Sequence, residues 1–271
     1  MEQEKLQELE LWFNNYVSGF YGSDEYINNN LKLKEEHSRR TCQEMRYLIK
    51  TLGLEDNLGK VALVTALLHD VGRFEQFVKY RTYNDFKSVN HCLLGVKVLR
   101  ESKVLEDFDP AQRELIEKAV EYHGIKELPK GLNGQHLLLS QLIRDADKLD
   151  VLYVVTEYYA RYKNNPEDLI FELEFPDLPE CSSQVVKATL AGQRIDYSCL
   201  KTLNDMRLLQ LAWVYDVNFT ATLRRIRQRG FLEKIIEFLP KTGKILEVKK
   251  AIFEYVDNRI GGDSQKERLQ I

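Results

Sequence analysis

Apolar positions recur at spacings of three and four through most of the chain, the period of amphipathic helices. Leu6, Leu9, Trp12, Phe13, Tyr16, Val17 and Phe20 form the first stripe, an aromatic face suited to packing on a core, and Gly22-Ser23-Asp24 ends it. A second helical stretch is predicted from about Asn30 to Leu52, closed by Gly53, with Met45, Leu48 and Ile49 on its apolar face. His37, Thr41 and Glu44 lie one turn apart on a neighbouring stripe, so His37 can reach inward while Arg39 and Arg40 stay near solvent. An apolar run from Val61 through Leu63, Val64, Leu67 and Leu68 then delivers His69 and Asp70 side by side. Gly72 is expected to stop that helix in a left-handed turn.

The stretch from Phe74 to Val89 reads as a polar and aromatic connection, after which Ser88 or Asn90 can cap a helix that starts at His91. Pro110 and Gly124 bracket another helix, which leads up to His123. Beyond a turn at Gly131-Leu132-Asn133-Gly134, the positions Leu138, Leu139, Leu142, Ile143, Ala146 and Leu149 predict a buried helix continuing toward Tyr159. Composition shifts from Asn164 to Glu180, where three prolines surround an alternating Ile170 to Phe175 segment that reads as a strand or an extended loop. Ser182 can cap the next helix, ending near Gly192, and an apolar pattern runs from Leu203 through Trp213, Val214, Tyr215, Val217 and Phe219. The residues from Gly261 onward are polar and expected to fray. The expectation is an all-α protein, with residues 1–163 as a core that includes the first helix and 164–271 as a mainly helical extension packed on it.

Composition narrows the classes without choosing among them. The 271 residues are 44% hydrophobic and 30% charged, with six prolines and fourteen glycines, the profile of an ordinary helical globular protein. A net charge of -3 argues against bulk nucleic-acid binding, so an anionic ligand must be caught locally. Cys42, Cys92, Cys181 and Cys199 are widely spaced and read as reduced thiols. With no signal-like start and no apolar run long enough to cross a bilayer, the expected location is the cytoplasm, away from membranes.

The chemistry gathers on histidines and acids. A neutral imidazole beside a carboxylate at the end of an apolar helix needs a proton or a metal to balance it. Three more histidines, His37, His91 and His123, and the cluster Arg144-Asp145-Ala146-Asp147-Lys148-Leu149-Asp150 supply the nitrogen and oxygen mixture that borderline divalent cations take. Burying Asp145, Asp147 and Asp150 in an apolar helix is costly unless each finds a cation, a metal or several donors. His136 falls outside this ordered set and reads as a surface residue.

The order His37, His69-Asp70, Asp147 resembles the HD-domain superfamily of metal-dependent phosphohydrolases over roughly Leu31 to Tyr159. Leu-Leu-His-Asp-Val-Gly-Arg and Ala-Asp-Lys-Leu-Asp carry the resemblance, and His91 and His123 extend it to the two-metal branch. It implies that His37, His69, Asp70 and Asp147 hold one ion, that Asp70, His91 and His123 hold a second, and that Asp70 bridges them. Of the acids, Asp147 takes the place of the family's distal ligand, Asp145 is read as an outer carboxylate that orients a ligand or receives Arg144 or Arg73, and Asp150 is left outside the metal set. A lysine resembling Lys148 contacts phosphate in nucleotide-cleaving relatives, and Arg73 can do the same, so both join Asp70 as catalytic candidates. Arg144 and Arg81 complete the expected substrate contacts. The chain lacks the Gly-Tyr-Pro signature and the doubled histidine of the cyclic dinucleotide branch, so the resemblance does not extend to that substrate.

The implied activity is hydrolysis of a phosphate ester or anhydride of a nucleotide or other small phosphorylated metabolite by a hydroxide bridging two divalent ions, of iron, manganese, nickel, zinc or magnesium. A di-iron oxygenase and a non-catalytic nucleotide-binding regulatory module are the alternatives, and a homo-oligomer is possible. The segment after Asn164 is expected to help choose the substrate.

Overall fold

The computed structural model describes residues 3–164 and 175–268, and among them every regular element is a helix. Chain packing divides the protein into two compact units, Met1–Asp150 and Val151–Ile271.

In the first unit α1 (Gln3–Ser18) lays the predicted aromatic face against Phe74, with Phe13 and Tyr16 edge-on to that ring and Phe20 stacked on it. Helix α2 (Glu25–Leu52) begins a turn earlier than its apolar pattern predicts, because the Asp24 side chain accepts from the backbone N–H of Ile27. Gly53 ends α2 at φ 62°, as its position predicts. Helix α3 (Asp56–Leu68) is central: Ala62, Val64, Ala66 and Leu68 are fully buried, and α1, α2 and α6 (Pro110–Tyr122) all pack against it. The segment from Phe74, expected as a connection, is largely helix: α4 (Gly72–Tyr80) packs on α2 and on α5 (His91–Glu101). Its Phe74 and Phe77 are buried at helical spacing, a pattern too short to stand out in the sequence.

Gly72 does not take the left-handed turn expected of it; it is the first residue of α4. A Cβ there would lie 2.3 Å from the His91 carbonyl oxygen and 2.6 Å from the Gly95 nitrogen, so the glycine permits backbone contact between α4 and α5. Of the two cap candidates for α5, Asn90 accepts from Leu93 N–H. Asp109 caps α6, with Pro110 in its first turn. Helix α7 (Gly134–Asn164) buries Leu139, Leu142, Ile143, Ala146 and Leu149 in this unit and continues into the second.

The second unit holds α8 (Ser183–Leu190), α9 (Leu203–Ala212), α10 (Thr220–Gln228), α11 (Phe231–Glu237) and α12 (Gly243–Arg268) around Leu208, Leu211, Leu223, Ile226, Leu232 and Val248. Ser182 precedes α8 without capping it, since its hydroxyl donates to Asp205 at 2.7 Å. The pattern from Leu203 to Phe219 is not one helix: a 3-10 turn at Trp213–Asp216 follows α9. Helix α12 carries past Gly261, where fraying was expected, to Arg268. The Ile170 to Phe175 alternation falls almost wholly outside the described residues. Among the described residues no helix is long and apolar enough to cross a membrane.

Candidate metal centre

Five elements of the first unit bring the histidines and acids of the ordered set together: α2 carries His37, the end of α3 His69 and Asp70, the start of α5 His91, the end of α6 His123, and α7 Asp147. All four histidines are buried, and Asp70 is 3% exposed.

Each imidazole is oriented by an acceptor at Nδ1. His37 Nδ1 lies 2.7 Å from Asp150, His91 Nδ1 2.7 Å from Asp85, His69 Nδ1 2.8 Å from the Ala66 carbonyl and His123 Nδ1 2.7 Å from the Val120 carbonyl. A carbonyl or carboxylate can only accept, so Nδ1 carries a proton in all four rings, and in a neutral ring Nε2 is the lone pair. Those Nε2 atoms converge in pairs, His37 to His69 at 3.2 Å and His91 to His123 at 3.1 Å.

Asp70 stands between the pairs. Its Oδ2 is 3.5 Å from His37 Nε2 and 3.8 Å from His69 Nε2, whereas Oδ1 is 3.6 Å from His91 Nε2 and 3.5 Å from His123 Nε2. Asp147 Oδ1 joins the first pair, 3.2 Å from His37 Nε2 and 3.8 Å from His69 Nε2. A neutral Nε2 facing a carboxylate at such distances needs a proton or a metal ion between them. Imidazoles bound to a metal at about 2.0–2.1 Å, at ligand angles between octahedral and tetrahedral, hold their nitrogens about 2.9–3.4 Å apart. The residues therefore fit a divalent ion in each half, and His37-His69-Asp70 is a group whose atoms can ligate one.

The electrostatics show the same demand for positive charge. Burial pushes the Asp70 carboxyl up, yet Lys34, His69, His123 and Arg73 together hold it well below the usual carboxylate range. Burial and the Lys34 charge press His37 down, but hydrogen bonds to Asp147 and Asp150 outweigh them and raise it. His123 is likewise raised despite burial, by Cys92 and Asp70, whereas burial takes His69 down to about 4. Asp147 lies well below its ordinary value, with His37 overcoming the opposing effect of burial.

Sequence reasoning missed several residues here. Lys34 donates to Asp70 Oδ2 at 2.8 Å, and its place one turn before His37 on α2 was the available signal. Asp85 receives His91, Arg73 and Gln76, with His91 the main group holding its carboxyl down at about 2 against burial. Asp150, left outside the metal set, orients His37 and also accepts from Arg40 Nε at 2.7 Å. Arg40 is thereby drawn inward, contrary to expectation, while Arg39 pairs with Glu35 at the surface. Cys92 lies beside His91 and His123, whose charges lower its thiol to about 6 although burial alone would raise it.

The cations expected to meet substrate divide. Arg73 Nε is 3.5 Å from Asp70 Oδ1, and its Nη1 donates to Gln76, the Tyr83 carbonyl and Asp85. Lys148 is half-buried next to Asp147 on α7. Arg144 donates to the carbonyls of His123 and Ile125 and so ties down the turn that carries His123. Arg81 is exposed, paired with Asp24 at 2.8 Å, and ends α4 in the left-handed conformation. Asp145 is fully buried.

The first unit thus converges a histidine, a His-Asp pair and a distal aspartate on one point. Residues 35–152 match the family model of the HD domain. No curated protein and no solved structure matches the chain.

The outer carboxylates give a test of the two halves. Asp150→Asn is expected to weaken metal binding at the His37 half, and Asp85→Asn at the His91 half, each by about 10–100-fold. Titration against a competing chelator should show one weakened and one unchanged step in each variant; equal weakening of both steps by both variants would contradict two separate halves.

Proposed function

We propose that the chain is a two-metal phosphohydrolase acting on a phosphate ester or anhydride of a nucleotide or another small phosphorylated metabolite. The observation that carries this reading is the position of Asp70, whose two oxygens face two separate pairs of imidazole nitrogens. On this reading His37, His69 and Asp147 hold one ion, His91 and His123 hold the other, and Asp70 is shared. Two divalent cations, when bound, supply a water acidified enough to attack near neutral pH and positive charge for the phosphoryl oxygens.

The residues of the chain do the rest. Asp150, Asp85 and the Ala66 and Val120 carbonyls fix each imidazole in the tautomer that turns its Nε2 lone pair inward, and they hold it there before substrate arrives. Lys34 and Arg73 flank Asp70, and on this reading they and Lys148, which follows Asp147, stabilise the charge that grows on a transferring phosphoryl group. Burial of the four imidazoles lowers the local dielectric and strengthens each of these interactions. No serine or cysteine nucleophile is required.

The test is metal content of protein purified without chelator, measured alongside phosphate release from nucleotides and phosphomonoesters with manganese, iron, nickel, zinc or magnesium restored. About two ions per chain are expected, with release abolished by chelation and recovered on adding metal back. Two irons with substrate-dependent oxygen consumption and no phosphate release would replace the hydrolase by an oxygenase. Tight nucleotide binding without any product would replace it by a regulatory module.

A further inference from the structure

We propose that Cys92 is a protein ligand of the ion held by His91 and His123, so that this half of the centre presents a thiolate, two imidazoles and Asp70 Oδ1. This inference rests on the two-metal reading. Cys92 Sγ is 3.4 Å from His91 Nε2 and 4.0 Å from His123 Nε2, and the two nitrogens are 3.1 Å apart. Bonds of about 2.3 Å to sulfur and about 2.0–2.1 Å to nitrogen, at angles near tetrahedral, place a thiolate about 3.5 Å from an imidazole nitrogen. His91, Cys92 and His123 thus form a group whose atoms can share one ion, and all three are buried.

The backbone is shaped to bring the sulfur there. Cys92 follows His91 in the first turn of α5, and Gly124 follows His123 just beyond α6. A Cβ at Gly124 would lie 2.8 Å from Cys92 Sγ and 3.0 Å from His91 Cε1, so a glycine is what lets the end of α6 close onto the thiol and the imidazole together. Cys42, the other buried cysteine, has no such company: its sulfur faces the Leu63 carbonyl at 3.9 Å.

The two halves then differ in chemistry. The His37 half offers two nitrogens and carboxylate oxygens, which manganese and magnesium accept, whereas a thiolate in the His91 half favours zinc, iron or cobalt. Coordination forms a metal–sulfur bond, and the thiol proton leaves to solvent.

The experiment is titration of the full-length protein with cobalt(II), read by absorption and independent of turnover. Wild type is expected to bind two cobalt ions and to develop a thiolate-to-cobalt charge-transfer band in the near ultraviolet as the His91 half fills. In Cys92→Ser and Cys92→Ala, each checked for helical content, the band should vanish and one of the two cobalt ions should bind at least about tenfold more weakly. Two cobalt ions bound with visible ligand-field bands but no charge-transfer band would overturn the thiolate ligand and leave the two-metal centre standing. Persistence of the band in both Cys92 variants would assign it to another cysteine and also overturn the proposal. Failure of wild type to bind cobalt at all would overturn the thiolate ligand and the two-metal reading together.

Discussion

Asp70→Ala is expected to empty the centre and abolish turnover while leaving a folded protein. Both oxygens of this carboxylate are engaged, Oδ2 toward His37 and His69 and Oδ1 toward His91 and His123, so on the two-metal reading its removal takes a ligand from each half at once. Phosphate release should fall by at least about 10³-fold, the upper range for losing a single preorganised electrostatic contact, because two metal positions are lost together. Metal content should drop from about two ions to less than one. The substitution also takes the Asp70 partner from Lys34, 2.8 Å away, so the metal-free protein should lose about 1–3 kcal/mol.

Asp70→Asn separates the two effects. The amide keeps the volume of the side chain but cannot bridge two cations, so it should cost less stability and the same metal and activity. A folded Asp70→Ala protein that keeps two ions and full turnover would remove Asp70 from the centre and the proposed reaction with it.

Gly72→Ala is expected to be the most damaging conservative change in the first unit. The new methyl would meet the His91 oxygen at 2.3 Å, the Gly95 nitrogen at 2.6 Å and the Gly95 Cα at 3.2 Å. All three are backbone atoms of α5 and cannot rotate away, so α4 and α5 must separate. Overpacking a well-filled interior typically costs about 1–3 kcal/mol, and a backbone clash belongs at the upper end of that range. For a protein of this size that corresponds to a fall in Tm of about 6–12 °C by calorimetry. The displaced carbonyl belongs to His91, so the His91 half should lose metal affinity before the His37 half does. Gly22→Ala is the control: a methyl there meets nothing within 4 Å, and its Tm should stay within a degree or two of wild type. Equal stability of the two variants would show that α4 and α5 do not need the contact.

Much of the fold is legible in the sequence because helices announce themselves by local period. The stripe from Leu9 to Phe20, the buried run from Val61 to Leu68 and the Gly53 stop are short-range facts, set by neighbours three or four residues away. Where the local signal thinned, the reading failed: α4 has only nine residues and looked like a connection, and Gly72 looked like a helix stop when it marks an approach between two helices. Ser182 has the chemistry of a cap, but its hydroxyl is taken by Asp205, 23 residues on.

The sequence by itself determined the histidines and acids that could serve a metal. His37 within a helix, His69-Asp70, His91 and His123 at helix ends, and acids set in an apolar helix limit the ligand chemistry wherever the helices go, because nitrogen and carboxylate donors suit a buried divalent ion. Tertiary structure decided everything that depends on two residues meeting. It set Asp150 on His37 across 113 positions, turned Lys34 onto Asp70 and brought Cys92 against His123. It also drew Arg144 away to the turn after α6 and left Arg81 at the surface. A one-dimensional pattern records which face of its own helix a side chain occupies; packing of that helix against the others selects the atom it touches, and through that contact its tautomer, its charge and its part in the chemistry.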